Sequence, residues 1–285
     1  MHLPTRSLLL AAVLLATALP ASGPARAADT SGDVRLYALD CGRIEFDDMG
    51  MFADDDSYAG QPGALVEPCY LVRHPDGTLL WDTGLGDAIA ARPGQVLEEE
   101  GVRFRVPVTL QSQLQALELA PTAIDYVALS HMHYDHTGNL ARFPASTWLV
   151  DATELAWASQ SPTPGPVTRA HFDGFAGKRE VIEGDHDVFG DGRVRILRTP
   201  GHTPGHRVLL LELDNAGTVV LSGDLYHSRS NYERGRVPAF NVDRADTLAS
   251  FDRVRQLLQV HDGRLVIQHA PEDFEALPAF PAYLD

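Results

Sequence analysis

The sequence predicts an α/β protein in which sheets stack face to face and helices cover them on the outside. Three observations carry that expectation. Short aliphatic runs alternate with stretches whose apolar residues recur at helical spacing. Four of the runs lead into histidine or aspartate, at the edge where open α/β sheets gather their ligands. No linker-like stretch divides the chain, and these end-of-run side chains spread from residue 131 to 269, so one domain is expected.

Residues 1–27 have the form of a cleavable signal peptide. Arg6 lies in the opening region, an apolar stretch follows from Leu8 to Leu19, and Ala25-Arg26-Ala27 is a small-x-small cleavage site. That stretch is shorter than the about 20 residues a membrane-spanning helix needs, and no other segment qualifies. Residues 28–285 are then the folded domain, exported to the periplasm or beyond. Strands are expected at 34–39, 69–72 and 78–81. Leu110, Leu114 and Leu117 repeat at helical spacing behind Thr109 as N-cap, and Pro121 ends that helix. A buried strand follows at 126–129, and Asp151 caps a short helix through Glu154 and Trp157. A strand at 194–197 precedes a hairpin, its arms 208–213 and 219–221 joined by Asp214-Asn215-Ala216-Gly217. A long helix over 243–260 places Leu248, Phe251, Val254 and Leu258 on one face for core packing, and a last strand covers 265–268.

The chemistry concentrates in His131-Met132-His133-Tyr134-Asp135-His136, directly after the 126–129 strand. Imidazole nitrogens and carboxylate oxygens are the ligands that zinc and similar cations take. His131 and His133, two apart in an extended loop, converge on one cation. Asp135 and His136 emerge further on, where the loop turns towards a helix near Gly138-Leu140, and suit a second. A lone His-x-His pair is a weak signal. Here, however, further donors recur after other strands: His202 and His206 in Thr199-Pro200-Gly201-His202-Thr203-Pro204-Gly205-His206, Asp224 after Ser222-Gly223, and His269 after Gln268.

The series His131-x-His133-x-Asp135-His136, His202, Asp224, His269 resembles the metallo-β-lactamase superfamily, from about Val34 to the C-terminus and including the Asp82-Thr83-Gly84 turn. The resemblance implies an αββα sandwich, two mixed sheets flanked by helices. The doubled Thr-Pro-Gly-His and the segments Asn231-Tyr232-Glu233 and Val237-Pro238-Ala239-Phe240 are most similar to N-acyl-homoserine lactonases. Spacing and resemblance together place His131, His133 and His202 on one cation, and Asp135, His136 and His269 on another. Asp224 bridges them. Two divalent ions are expected, zinc first, with iron, cobalt or manganese also suited. A hydroxide shared by the ions would attack an ester carbonyl, one ion polarising the carbonyl and the other receiving the leaving oxygen. Asp135, Asp224 and His227 are the expected catalytic residues. Asp82 is expected to orient a ligand imidazole, and His206 to serve packing.

Asp224 separates this chain from true β-lactamases, which lack that bridging aspartate, and leaves lactonases, glyoxalase II-like thioesterases and phosphotriesterases. One position departs from the lactonase pattern. Where those enzymes carry a tyrosine three residues after the bridging aspartate, this chain has His227, and Tyr226 comes one place early. His227 still offers a hydrogen bond; the alternative is a solvent-facing loop histidine.

The net charge of the whole chain is −16. Without residues 1–27, which carry Arg6 and Arg26 and no acid, 258 residues remain with a charge of −18. Such a surface repels nucleic-acid phosphates and argues against a nuclease, whereas a neutral small-molecule lactone or ester suffers no such penalty. Cys41 and Cys69 come within disulfide reach if their strands are antiparallel neighbours; otherwise they are two small buried apolar side chains. Residues 43–64, with Phe46, Met49, Met51, Phe52 and Tyr58, and residues 159–177, with Phe172 and Phe175, read as loops. Their aromatics either wall a site for an acyl group or tuck against the surface. The leading function is hydrolysis of lactones, N-acyl-homoserine lactones first, or of carboxylic esters. Thioester or phosphoester hydrolysis, iron-dependent sulfur oxidation and metal binding without catalysis are the alternatives.

Overall fold

The computed structural model describes residues 32–285; the expected signal peptide lies outside the described residues. In chain order the elements are β1 (Arg35–Phe46), β2 (Gly63–His74), β3 (Gly77–Trp81), β4 (Val96–Glu99), β5 (Val102–Arg105), α1 (Leu110–Ala116), β6 (Tyr126–Ala128) and α2 (Tyr134–Thr137). There follow β7 (Thr147–Asp151), α3 (Ala152–Ala158), β8 (Lys178–Ile182), β9 (His186–Asp187), β10 (Val194–Arg198), β11 (Arg207–Leu213) and β12 (Gly217–Leu221). The chain ends through α4 (Arg229–Arg234), α5 (Arg244–His261), β13 (Arg264–Val266) and α6 (Pro271–Glu275).

The strands form an eight-stranded sheet, β4-β5-β1-β2-β3-β6-β7-β8, and a five-stranded sheet, β13-β12-β11-β10-β9. Both are mixed. β1, β2 and β3 run antiparallel while β3, β6, β7 and β8 run parallel, and in the smaller sheet only β12 and β13 are parallel. The alternation along β1 explains the layering. Leu36 and Ala38 enter the core between the sheets with Leu79, Trp81, Ile196, Leu209 and Leu221, whereas Tyr37, Leu39 and Cys41 face the helix side with Leu110 and Leu114 of α1. α5 covers the smaller sheet from outside, burying Phe251, Val254 and Leu258 at about 2 kcal/mol each. This is the expected helix-flanked double sheet.

β1 and β2 are 12 residues each, longer than the short runs read from sequence. The far half of β1, Arg43–Phe46, pairs on one side with β2 and on the other with β5, part of a charged hairpin that apolar periodicity does not flag. Pro68 is tolerated inside β2 because it faces Asp40 where β1 bulges, so the missing amide falls at a break in the ladder. Antiparallel pairing sets Leu39 opposite Cys69, and Cys69 is joined to Cys41 by a disulfide, Cα–Cα 5.7 Å. The conditional expectation for these cysteines is met. No helix among the described residues is long and apolar enough to cross a membrane.

Candidate metal centre

Four loops on one edge of the sandwich build the site. After β6 the chain stays extended through His131 and His133, then closes into α2. Asp135 and His136 therefore sit on a helical turn, one step earlier than the helix near Gly138-Leu140 read from sequence. The turn after β3 clasps α2: Thr83 N and Oγ1 each donate to His136 O at 2.8 Å, and Gly138 N donates to Gly84 O at 2.8 Å. Gly84 has φ +66°, and a Cβ there would lie 2.3 Å from Cys41 Cβ. The β10–β11 loop supplies His202. Gly201 before it (φ +133°) packs so closely on α5 that a Cβ would stand 2.3 Å from Thr247 N. Asp224 follows β12, and His269 follows β13.

All seven expected ligands come together, in two groups joined by Asp224. His202 Nε2 lies 3.0 Å from both His131 Nε2 and His133 Nδ1, and Asp224 Oδ2 lies 3.3 Å from His202 Nε2 and 3.6 Å from His131 Nε2. The other oxygen, Oδ1, stands 2.7 Å from His269 Nε2 and 3.0 Å from His136 Nε2, which is 3.8 Å from Asp135 Oδ2. Six of the seven are buried; Asp135 is half-buried.

The outward nitrogens have their own partners. His202 Nδ1 donates to Asn241 Oδ1 at 3.0 Å, His136 Nδ1 to Asp82 Oδ2 at 3.0 Å and His269 Nδ1 to Val66 O at 2.9 Å, while His131 Nδ1 is 3.0 Å from Ser130 Oγ. In the first group three ring nitrogens converge, His202 Nε2 at 3.0 Å from each of the other two, so that one cation between them could take a lone pair from each. In the second, His136 Nε2 is buried without a hydrogen-bond partner and, like His269 Nε2, aims at Asp224 Oδ1. The residues fit two cations, and their nitrogen and oxygen donors suit zinc, iron, cobalt or manganese.

The two groups differ electrostatically. Burial holds His131 and His202 well below the ordinary imidazole range, and His133 at about 3. At His136 burial also opposes charge, but Asp224, Asp82 and Asp135 outweigh it and hold the group well above that range. Asp224 and Glu67 do the same for His269. Burial would raise Asp224, yet the imidazoles of His269, His136 and His131 hold it well below the carboxylate range.

Asp82 takes its expected place beneath a ligand imidazole. At φ +57° it accepts from Ser130 N (2.7 Å), His136 Nδ1 and Gln268 Nε2 (2.6 Å). His206 stays out of the cluster, as expected, but does more than pack. Its Nδ1 donates to Thr199 O at 3.0 Å and its Nε2 accepts from Asp224 N at 2.9 Å. Burial holds it at about 4, so that nitrogen stays an acceptor. Four contributors went unnoticed in the sequence. Asn241 and Gln268 hold His202 and Asp82. Glu154 ties the two ligand loops, accepting from Met132 N at 2.9 Å and Gly205 N at 2.8 Å. Glu67, pushed by burial to about 7, lies 3.2 Å from His269 Nδ1. None carries a motif; only contact reveals them.

His227 is buried rather than solvent-facing, with Nε2 3.1 Å from Asp224 Oδ2 and its ring between Phe52 (5.1 Å) and Phe240 (5.5 Å). Tyr226 points away, stacked on Phe251 at 4.4 Å under α5. His227 lines a cavity of about 510 Å³ together with Met49, Phe52, Leu65, Tyr58 and Asn231, and with Arg229, Glu233 and Glu272. The loop between β1 and β2 makes one wall and is stitched across it, Asn231 Nδ2 donating to Phe52 O at 2.8 Å and Ala239 N to Met51 O at 2.9 Å. The expectation for this loop holds for Met49 and Phe52, but Met51 is exposed and outside the lining. For residues 159–177 it fails. Phe172 and Phe175 are buried under the larger sheet, Phe175 5.4 Å from Trp148, because the core takes up rings that a Pro- and Gly-rich composition leaves unplaced.

A double sheet with two metal-competent donor groups on one edge, taken with the similarities that follow, puts the chain among metal-dependent hydrolases. The metallo-β-lactamase superfamily matches residues 62–269, and the chain belongs to that superfamily. Among curated relatives it is 30% identical over 266 residues to the N-acyl homoserine lactonase AttM of Rhizobium radiobacter, covering 88% of this chain and 99% of the relative. It is 26% identical over 263 residues to AiiA of Bacillus thuringiensis subsp. kurstaki, also an N-acyl homoserine lactonase, covering 88% and 98%. A solved N-acyl homoserine lactone hydrolase with the product N-hexanoyl-L-homoserine at its catalytic metal centre superposes with a TM-score of 0.77 at 25% identity, covering 87% of this chain and 98% of that one. The fold also matches AidC, a dizinc quorum-quenching lactonase, with a TM-score of 0.64 at 19% identity, covering 88% and 90%.

Proposed function

We propose that this protein opens lactone rings by hydrolysis and that N-acyl-homoserine lactones are its leading substrates. The observation that carries the reading is the juxtaposition of a two-cation donor set with a cavity, apolar along Met49, Phe52 and Leu65, that meets it at His227. Full-length similarity to lactonases of that specificity supports it. His131, His133, His202 and Asp224 would hold one ion; Asp135, His136, His269 and Asp224 would hold the other. When bound, the pair supplies Lewis acidity at the carbonyl and lowers the pKa of water from 15.7 to about 7.

The chain's own residues supply the rest. Met49, Phe52 and Leu65 take the acyl chain and keep water from the carbonyl. His227 donates a hydrogen bond to the ester group from the place where the resemblance expects tyrosine. Asp135, whose Oδ2 lies 3.8 Å from His136 Nε2, is placed to relay to the ring oxygen the proton released by the attacking water as the carbon–oxygen bond breaks. The product is the open-chain N-acyl-homoserine.

The test is turnover by the purified, metal-loaded chain of an N-acyl-homoserine lactone beside S-lactoylglutathione, a phosphotriester and a β-lactam. The lactone should give the highest kcat/KM, with about two metals per chain. Faster turnover of another substrate, or a single iron, would reassign the chemistry. We also infer export, from the form of residues 1–27 and the Cys41–Cys69 disulfide. N-terminal sequencing of protein recovered from the cell envelope should begin near Ala28; an intact Met1 there would reject it.

A further inference from the structure

Glu67 belongs to none of the roles assigned so far. It sits in mid-strand on β2, 1% exposed, and its Oε1 makes no hydrogen bond. His269 Nδ1, 3.2 Å away, directs its proton at Val66 O instead. No lysine or arginine pairs with Glu67 among the described residues; His269, His136 and the acid Asp135 are what surround it. A carboxylate this deep is costly; only the imidazoles of His269 and His136 oppose its charge, and a cation shared with them would relieve the cost. Glu67, Asp135, His136 and His269 each bring one donor atom to within 4.8 Å of the others.

We propose that Glu67 is a metal-facing carboxylate of the second half-site. This rests on the two-cation reading above and extends it. With Asp135 and Asp224, the second half then draws on three carboxylates and two imidazoles, whereas the first has three imidazoles and the shared Asp224. The two positions therefore differ in kind. The nitrogen-rich first half favours a borderline cation such as Zn2+, and the oxygen-rich second half accepts a hard cation such as Mn2+.

Chelator competition on the metal-free protein tests this, with Zn2+ and Mn2+ bound stepwise. Glu67→Gln should weaken the second equivalent by about tenfold or more, Mn2+ more than Zn2+, and leave the first unchanged. Glu67→Asp, which keeps the charge, should recover part of the loss. A role confined to orienting His269 predicts instead equal losses for the two metals, and that result, like an unchanged second step or equal loss in both steps, overturns the proposal. A measurement on the unaltered chain guards against a misfolded variant: with one equivalent of Zn2+ and excess Mn2+ it should hold one of each, and loading without that order counts against Glu67. An unaltered chain that binds fewer than two ions of either metal overturns the two-cation reading itself, and Glu67's role with it. Two ions bound with no effect of Glu67→Gln overturn only the latter.

Discussion

The two halves of the donor cluster share Asp224 but are prepared differently. In the first, His131, His133 and His202 are kept neutral by burial, each ready to offer a lone pair. In the second, carboxylates outweigh the same burial and hold His136 and His269 in the charged form. The first half is thus a preformed cation site. In the second half, imidazole nitrogens held towards their charged form face carboxylate oxygens. Filling it means exchanging protons for metal.

The largest effect should come from the residue both halves share. Asp224→Ala removes one oxygen from each and takes from the second half's imidazoles the strongest of the carboxylates that oppose their charge. Metal content should fall below two per chain, and kcat/KM for the lactone by about a thousandfold, the equivalent of several kcal/mol of lost electrostatic stabilisation. Retention of two ions would show that the halves are independent. Asp82→Asn should break the symmetry more narrowly. Asp82 is fully buried and takes the Nδ1 proton of His136, so no water can replace it. Affinity for the second ion should drop by about 10- to 100-fold, with the first unchanged in metal titrations.

A third prediction concerns pH. A raised imidazole pKa means that the stabilisation given by charged His136 and His269 is complete below their ordinary value, near 6.5, and disappears as pH rises through their folded-state values. His131 and His202 have the opposite sign: their lowered values cost stability as pH falls below about 6.5. Metal uptake should follow the same division. Around neutral pH, binding to the second half should release protons and strengthen about tenfold per pH unit for each proton displaced, while binding to the first should be nearly flat. Calorimetry in buffers of different ionisation enthalpy counts those protons. Equal release from both halves would erase the distinction.

That asymmetry was only half legible in the sequence. The seven donors announce themselves because ligand chemistry demands particular residues, and His131-x-His133-x-Asp135-His136 packs four of them into one turn of chain. Glu67 gives no such sign. It lies inside a strand where an acid ordinarily marks a solvent-facing position, and only the pairing of β2 between β1 and β3, with His269 closing over it, turns it inward. Asn241 and Gln268 are equally silent, since an amide becomes a hydrogen-bond partner only when the fold delivers an imidazole or a carboxylate to it. Strands were legible where aliphatic runs were pure, as at β6, β11 and β12. It was hidden in the hairpin of β4 and β5, where Glu98-Glu99-Glu100 and Arg103 trade charge for burial. Phe172 and Phe175 mark the same limit: composition identified a loop, but which side its rings face is a property of the packing.

The smallest effect should come from Asn241→Ala, and its size bears on why the halves differ. Asn241 does for His202 what Asp82 does for His136, accepting the Nδ1 proton at 3.0 Å. The two partners are not equivalent. Asp82 is charged and sealed, whereas Asn241 is neutral, only half-buried and held from its other end by Thr247 Oγ1 at 3.1 Å. Water can take the place of its oxygen and keep His202 in the same tautomer at little cost. Affinity for the first ion should therefore fall only a few-fold, with the second untouched and the pH dependence of both retained, since no charge has been removed. A loss as large as that of Asp82→Asn would mean that the tautomer of His202 depends on this one amide, and that the first half is no more preformed than the second.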